Sequence, residues 1–156
     1  MGRRETVEGY LSKSGLNVEL RVFGESTKSS MLAAQALGCT MAEIAKGVVF
    51  VGKGTAVVII SGDKKVDPLK LAREAGEMMR VATPAEVEER TGFPIGGVPP
   101  FSHREGVLAY PDVSLTRFRE VWAAPGTPNA VFRVGSSDLV GHIGRVRSTF
   151  RAGKGK

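Results

Sequence analysis

One cysteine and two histidines in 156 residues set the first limits on this chain. Cys39 alone permits no internal disulfide, and the histidines add no zinc-type ligand cluster at a familiar spacing, so neither a metal nor another cofactor is expected. Long apolar runs are missing too. Nothing approaches the roughly 18 consecutive apolar residues of a membrane span, and the opening "MGRRETVEGYLSKSG" lacks the apolar core of a secretory signal. The expected setting is a reducing cytoplasm with no membrane partner.

Familiar catalytic signatures are also lacking. There is no G-x-S-x-G elbow, which removes the usual serine-hydrolase signature. "GVVFVGKG" has the glycine and Gly-Lys spacing of a phosphate-binding P-loop, but Gly54 stands where Ser or Thr would hold magnesium. Val48 to Val51 put an apolar strand where the polar cradle belongs, and no helix follows. Cys39 could serve as a nucleophile only if folding brought it to a base such as His103; beside a helix end it reads better as a small buried apolar residue.

The chain does have the makings of one ordinary core. Hydrophobic residues make up 42% and charged residues 24%, and a domain near this length buries about 68–70% of its unfolded surface. The net charge of +6 is concentrated at one end: "RVRSTFRAGKGK" carries five basic residues and no acid, leaving the rest near neutrality. We therefore read residues 1–144 as a single domain and 145–156 as a basic tail. That tail is either an electrostatic handle for phosphates or a solubilising terminus.

Along the chain, "RRETVEGYLSKSG" predicts a helix stopping at Gly15, and "NVELRVF" alternates as a half-buried strand. "STKSSMLAAQALG" predicts a helix capped by Ser26 or Ser29 and stopped at Gly38. "IAKGVVFVGKGTAVVIISG" reads as a central hairpin turning at "GKGT". Two helices then open on the same grammar: Asp67 caps with Pro68 in the first turn, and Thr83 caps with Pro84 first and Glu86 third, a capping box. "REGVLAYPDV", "EVWAAPG" and "NAVFRVG" predict three more strands, and "SSDLVGHIG" a closing helix. Strands interrupted irregularly by helices indicate an α+β domain with a mixed sheet.

Two features invite chemistry. Lys46 interrupts the apolar passage "MAEIAKGVVFV"; such a residue either snorkels to water or aims a desolvated ammonium into a cleft, where it can hold a phosphate or a carbonyl-bearing substrate. In "FPIGGVPPFSHRE" the paired glycines can bare backbone N–H groups while Pro99 and Pro100 stiffen the bend. The other reading of that loop is a rigid connection whose Val98 and Phe101 plug the core.

Taken together, Lys46 after "STKSSMLAAQALGCTMAEIA", the hairpin "GVVFVGKGTAVVIISGDKKVD" and the block "TPAEVEERTGFPIGGVPPF" resemble the YbaK/ProX-type aminoacyl-tRNA deacylases, trans-editing proteins related to the insertion domain of bacterial prolyl-tRNA synthetase. The resemblance spans roughly residues 5–142. It implies a mixed, barrel-like sheet with flanking helices, and hydrolysis of the ester joining a wrong amino acid to tRNA. The implied catalytic groups are Lys46 and Gly97, the latter through its backbone N–H. The implied substrate contacts are Gly96, Val98, Pro99, Pro100, Phe101, Ser102 and His103, with Gly135 and Ser136 from the glycine-containing turn before the last helix. Many relatives carry glycine at the position of Ser102, and His103 and Arg104 also depart from the pattern, so these residues are candidates for adjusting substrate choice. The implied partners are mischarged tRNA and an aminoacyl-tRNA synthetase. The competing reading is a non-enzymatic module that binds tRNA or aminoacyl groups for a synthetase; a small-molecule ester hydrolase is a further one.

Overall fold

The computed structural model describes residues 3–24, 29–101 and 103–149. Five helices pack around one seven-stranded sheet. The helices are α1 (Arg3–Ser14), α2 (Ser30–Leu37), α3 (Pro68–Ala75), α4 (Pro84–Thr91) and α5 (Ser136–Ile143). The strands are β1 (Val18–Val22), β2 (Ile44–Val51), β3 (Thr55–Ser61), β4 (Arg80–Val81), β5 (Val107–Pro111), β6 (Glu120–Ala123) and β7 (Ala130–Gly135).

The local signals settle where the helices start and stop. Ser29 caps α2, its side chain accepting from Leu32 N, and Asp67 and Thr83 cap α3 and α4 in the same way. Thr83 and Glu86 form the complete capping box, and Gly38, Gly76 and Gly92 close these three helices in the left-handed conformation. Each cap satisfies backbone groups that a helix end leaves orphaned.

The hairpin β2–β3 forms the middle of the sheet, paired from Ala45–Ser61 to Val51–Thr55. Every residue of β3 is buried, as its unbroken apolar run requires, because the sheet is covered on both faces. One face meets α4, α5 and the 93–101 loop through a cluster containing Val49, Val57, Val87, Phe101, Phe132 and Leu139. The other packs Phe50, Val58 and Ile60 against Leu71 of α3, and Ile44 and Val131 against Ala33 and Ala34 of α2. The "GKGT" turn uses its amides within the protein: Lys53 N and Gly54 N donate to the Glu77 carboxylate at 2.7 and 3.0 Å.

The strand order is β1-β7-β6-β2-β3-β5, with β4 on β2. Pairing is antiparallel except for β2–β6 and β3–β5, so the sheet is mixed as expected. Among the described residues the path is open from β1 to β5, and the ladder does not close on itself as a barrel would.

The beginning of the basic end, residues 145–149, lies against the body. Arg147 N donates to Pro111 O, and its guanidinium meets Glu74 at 2.9 Å and stacks over Tyr110. Thr149 is fully buried; its N–H and hydroxyl both donate to Asp112 Oδ1 at 2.6 Å, and its carbonyl accepts from Asp67 N. Residues 150–156 of the expected tail lie outside the described residues.

Candidate active site

A cavity of about 430 Å³ opens where the sheet is interrupted. On one edge β2 pairs with β3 along most of its length. On the other, β6 reaches only Ile44 and Ala45, and β4 only Phe50 and Val51. The bond from Gly62 N to Ile44 O fixes the alternation: Ile44, Lys46, Val48 and Phe50 turn their backbone groups toward β3, and the residues between them turn outward. Ala82 N donating to Val49 O agrees with this. The N–H and C=O of Gly47 and the N–H of Val49 therefore face the interval between β6 and β4. No protein partner meets them there among the described residues, and both residues line the cavity.

Because the cavity lies at an open strand edge, it draws on both faces of the sheet. On one side are the first turn of α2, with Ser29, Ser30 and Met31, and the side chain of Lys46. On the other are Val49, Ala82, Val87 and Val98, which belong to the larger core cluster. The two ends thus differ in character: hydroxyls, a helix N-terminus and an ammonium at one, aliphatic carbon at the other.

Lys46 makes no ion pair within 4 Å among the described residues. Burial, with the positive charge of Lys65 adding to it, holds its ammonium below the ordinary lysine range, while Asp63 pulls the other way. Asp63 itself is engaged by the Arg117 guanidinium, 2.7 Å away, and its carboxyl is held low by that bond. Lys46 is therefore a partly desolvated cation, and the acid whose charge acts on it, Asp63, is already paired, an arrangement suited to receiving an anion or an electron-rich oxygen.

The loop residues separate into two groups. Gly96 and Val98 line the cavity with Lys46. Gly96 has φ of 81°, a conformation that favours glycine. Gly97 is buried and faces away: its N–H donates to Pro94 O at 3.0 Å, and a Cβ there would stand 2.9 Å from the Thr127 backbone. The close approach explains the second glycine, and the N–H expected to act as oxyanion donor is engaged by Pro94 O in this structure. Pro99, Pro100 and Phe101 are buried away from the lining; Phe101 packs on the rings of Phe132 and His142. Val98 joins the same core cluster while also lining the cavity, so the plug and the site share one segment.

The remaining expected contacts are not gathered at this cavity. Gly135 and Ser136 occupy the end of β7 and the start of α5, with Ser136 N donating to Arg119 O and its hydroxyl to Phe118 O. Cavity contact on β7 comes from Ala130 and Val131 at the opposite end of the strand. His103 lies behind the loop, its Nε2 donating to Pro99 O and its ring edge-on to Phe93; burial lowers its pKa below 6.5. Ser102 lies outside the described residues. Cys39 packs beside Ala33, Ala34 and Ile44, and burial raises its thiol pKa, consistent with a structural role. Sequence reasoning missed Ser29, Ser30, Trp122 and Gly47 as lining residues. For Gly47 a signal existed, since glycine inside a strand often marks close approach of a ligand or of another backbone. A Cβ at Gly47 would stand 3.1 Å from Val98 O.

Comparison with known proteins bears on this geometry. A family model for the aminoacyl-tRNA editing domain matches residues 24–141. The chain is 37% identical over 137 residues to YwhH, an uncharacterized protein of Bacillus subtilis strain 168, covering 86% of this chain and 87% of that one. It is 30% identical over 118 residues to the multifunctional Ser/Thr-tRNA deacylase ProXp-y of Escherichia coli K12, covering 71% and 70%. Among solved structures, a candidate trans-editing enzyme for prolyl tRNA synthetase superposes with a TM-score of 0.87 at 37% identity, over 97% of this chain and 99% of the other. The chain belongs to the aminoacyl-tRNA editing domain family, as a deacylase of the YbaK/ProX type.

Proposed function

We propose that this protein hydrolyses, in trans, the ester that joins a noncognate amino acid to the terminal ribose of tRNA, with Lys46 and the Gly96–Pro100 loop forming the site. The observation that carries the reading is a cavity lined by Lys46 from one sequence block and by Gly96 and Val98 from another. Its volume falls within the range of about 300–1,000 Å³ usual for small-ligand sites.

An aminoacyl ester is already activated, so the protein needs mainly to orient water, stabilise the developing oxyanion and exclude the wrong substrate. No triad is required. In this reading the terminal nucleotide lies at the polar end, where Lys46 and the first turn of α2 receive its phosphate, and the free ribose hydroxyl helps to activate water. The aliphatic end receives the amino-acid side chain, with Val98 holding one wall. Gly135, Ser136 and His103 then act by supporting the fold and the loop rather than by touching substrate. Basic residues within 145–156 give the acceptor stem an electrostatic contact. Association with the synthetase that makes the error belongs to the same proposal, and charged tRNA as substrate puts the reaction in the cytoplasm.

A panel of tRNAs carrying matched and mismatched amino acids tests it. Release of the amino acid from particular mischarged tRNAs is the expected result. Tight binding without release would favour the non-enzymatic module, and cleavage of simple esters with no preference for tRNA would favour a small-molecule hydrolase.

A further inference from the structure

The open edge of β2 is the part of the cavity to which no role has been assigned. Gly47 presents an N–H and a C=O side by side, both outward and both without a protein partner among the described residues. In an antiparallel sheet a residue so placed exchanges two hydrogen bonds with the residue directly opposite. An aminoacyl ester has the same N–Cα–C=O skeleton as a peptide residue.

We propose that the aminoacyl group of the substrate docks on this edge as a one-residue strand. Its α-ammonium donates to Gly47 O, and its ester carbonyl oxygen accepts from Gly47 N–H. The inference rests on the ester-hydrolysis reading above and assigns the oxyanion donor to the strand instead of to the loop. The loop donor expected from sequence, Gly97 N–H, is held by Pro94 O, and Gly97 does not line the cavity. Strand addition at an exposed edge is a general mode of recognition that uses main-chain groups for affinity and side-chain pockets for choice.

The chemistry balances on these groups. The water oxygen bonds to the ester carbon, and the carbonyl π pair moves onto the oxygen facing Gly47 N–H, where the hydrogen bond strengthens as charge develops. Collapse restores the C=O and breaks the bond to the ribose oxygen, which departs with one of the water protons. The other proton leaves the new carboxyl group for solvent.

The same docking places the side chain. Directly opposed residues of an antiparallel pair project to one face of the sheet, so the substrate's side chain lies on the Gly47 face with Val49, Ala82, Val87 and Val98. Glycine at 47 also lets Val98 close onto the strand, since a Cβ would stand 3.1 Å from Val98 O and 3.4 Å from Val98 Cγ1.

Two measurements test the proposal. In the first, glycolic acid replaces Gly47 by nonsense suppression, exchanging the N–H for an ester oxygen without adding bulk. The expected result is a kcat lower by about 10²- to 10³-fold with KM for mischarged tRNA nearly unchanged. Unchanged kcat in the folded variant overturns the assignment. The second needs no variant. Lactyl-tRNA, in which a hydroxyl replaces the α-ammonium, is compared with alanyl-tRNA on the wild-type protein, each enzymatic rate divided by its uncatalysed rate. A drop of about 10- to 100-fold for the lactyl ester is expected from loss of one charge-assisted bond, and equal acceleration of both overturns the ammonium contact. Wild-type protein inert toward every mischarged tRNA would strike the ester-hydrolysis reading itself, whereas wild-type turnover with an unimpaired position-47 variant strikes this inference alone.

Discussion

Replacing Lys46 with methionine separates charge from packing at the centre of the site. Methionine keeps most of the unbranched stem and loses only the ammonium. Because Lys46 makes no ion pair within 4 Å among the described residues, no paired acid is left uncompensated in the variant. Burial disfavours the charged form in the folded state, so removing the charge relieves a penalty, and stability moves slightly upward. A change within about 0.5 kcal/mol corresponds to a Tm rise of no more than about 2 °C for a domain of this size. Activity moves the other way. Loss of the charged contact that holds the terminal phosphate, and with it the position of the ester, costs about 10- to 100-fold in kcat/KM, on the order of 1.5–3 kcal/mol. Single-turnover release of labelled amino acid from mischarged tRNA, run beside thermal denaturation, reads both quantities. A variant within about threefold of wild type would remove Lys46 from the reaction. A Tm loss beyond about 5 °C would make it a structural residue instead.

Three further outcomes follow from the same contacts. Thr149→Val removes one donor from the buried Asp112 carboxylate while keeping the side-chain shape; denaturant unfolding should register a loss of about 1.5–3 kcal/mol, and a loss below about 0.5 would show that this hydroxyl does not hold the segment. Ending the chain after Thr149 should flatten the salt dependence of tRNA binding without moving Tm, whereas ending it after Gly144 should do both, because residues 147 and 149 are seated on the body; equal salt slopes in all three proteins would deny the basic end any RNA role. His103 has its folded pKa depressed by burial below 6.5, so the unfolded chain binds more protons as pH falls through 6.5 and stability drops in that window. His103→Gln should abolish that share of the pH dependence while leaving the fold intact at pH 8, and an unaltered stability–pH curve would refute the buried-imidazole account.

The elements written in local grammar were legible. Asp67 with Pro68 and Thr83 with Glu86 announce their helices because a cap depends on residues a few positions apart. The hairpin could be read because a short turn joins its strands. β4 could not, being two exposed residues with no alternation to display. The interruption of the sheet was equally invisible, because it is created by where β6 and β4 stop along β2, a matter of distant pairing. Thus Lys46 and the loop could be singled out, but not which backbone groups are engaged within the protein. Only the fold reveals that Gly97 N–H bonds inward to Pro94 O and that Gly47 stands at an open edge. Ser136 stands away from this cavity for a related reason: the sequence marks a turn before a helix, and the direction of β7 puts that turn at the far end from Ala130 and Val131.

The sheet is two ladders, β1-β7-β6 on one side and β4-β2-β3-β5 on the other, joined by a seam only two rows long at Ile44–Trp122 and Ala45–Ala123. The cavity opens beside that seam, with Ile44, Ala45, Trp122 and Ala123 all on its wall. Elastic load across the sheet concentrates where it is narrowest, so the stiffness of the binding space is set by two rungs and by whatever ligand bridges the gap beyond them. A substrate bound between β2 and the wall of Trp122, Ala123, Ala130 and Val131 would fill the gap beside the seam and make the occupied protein the stiffer one.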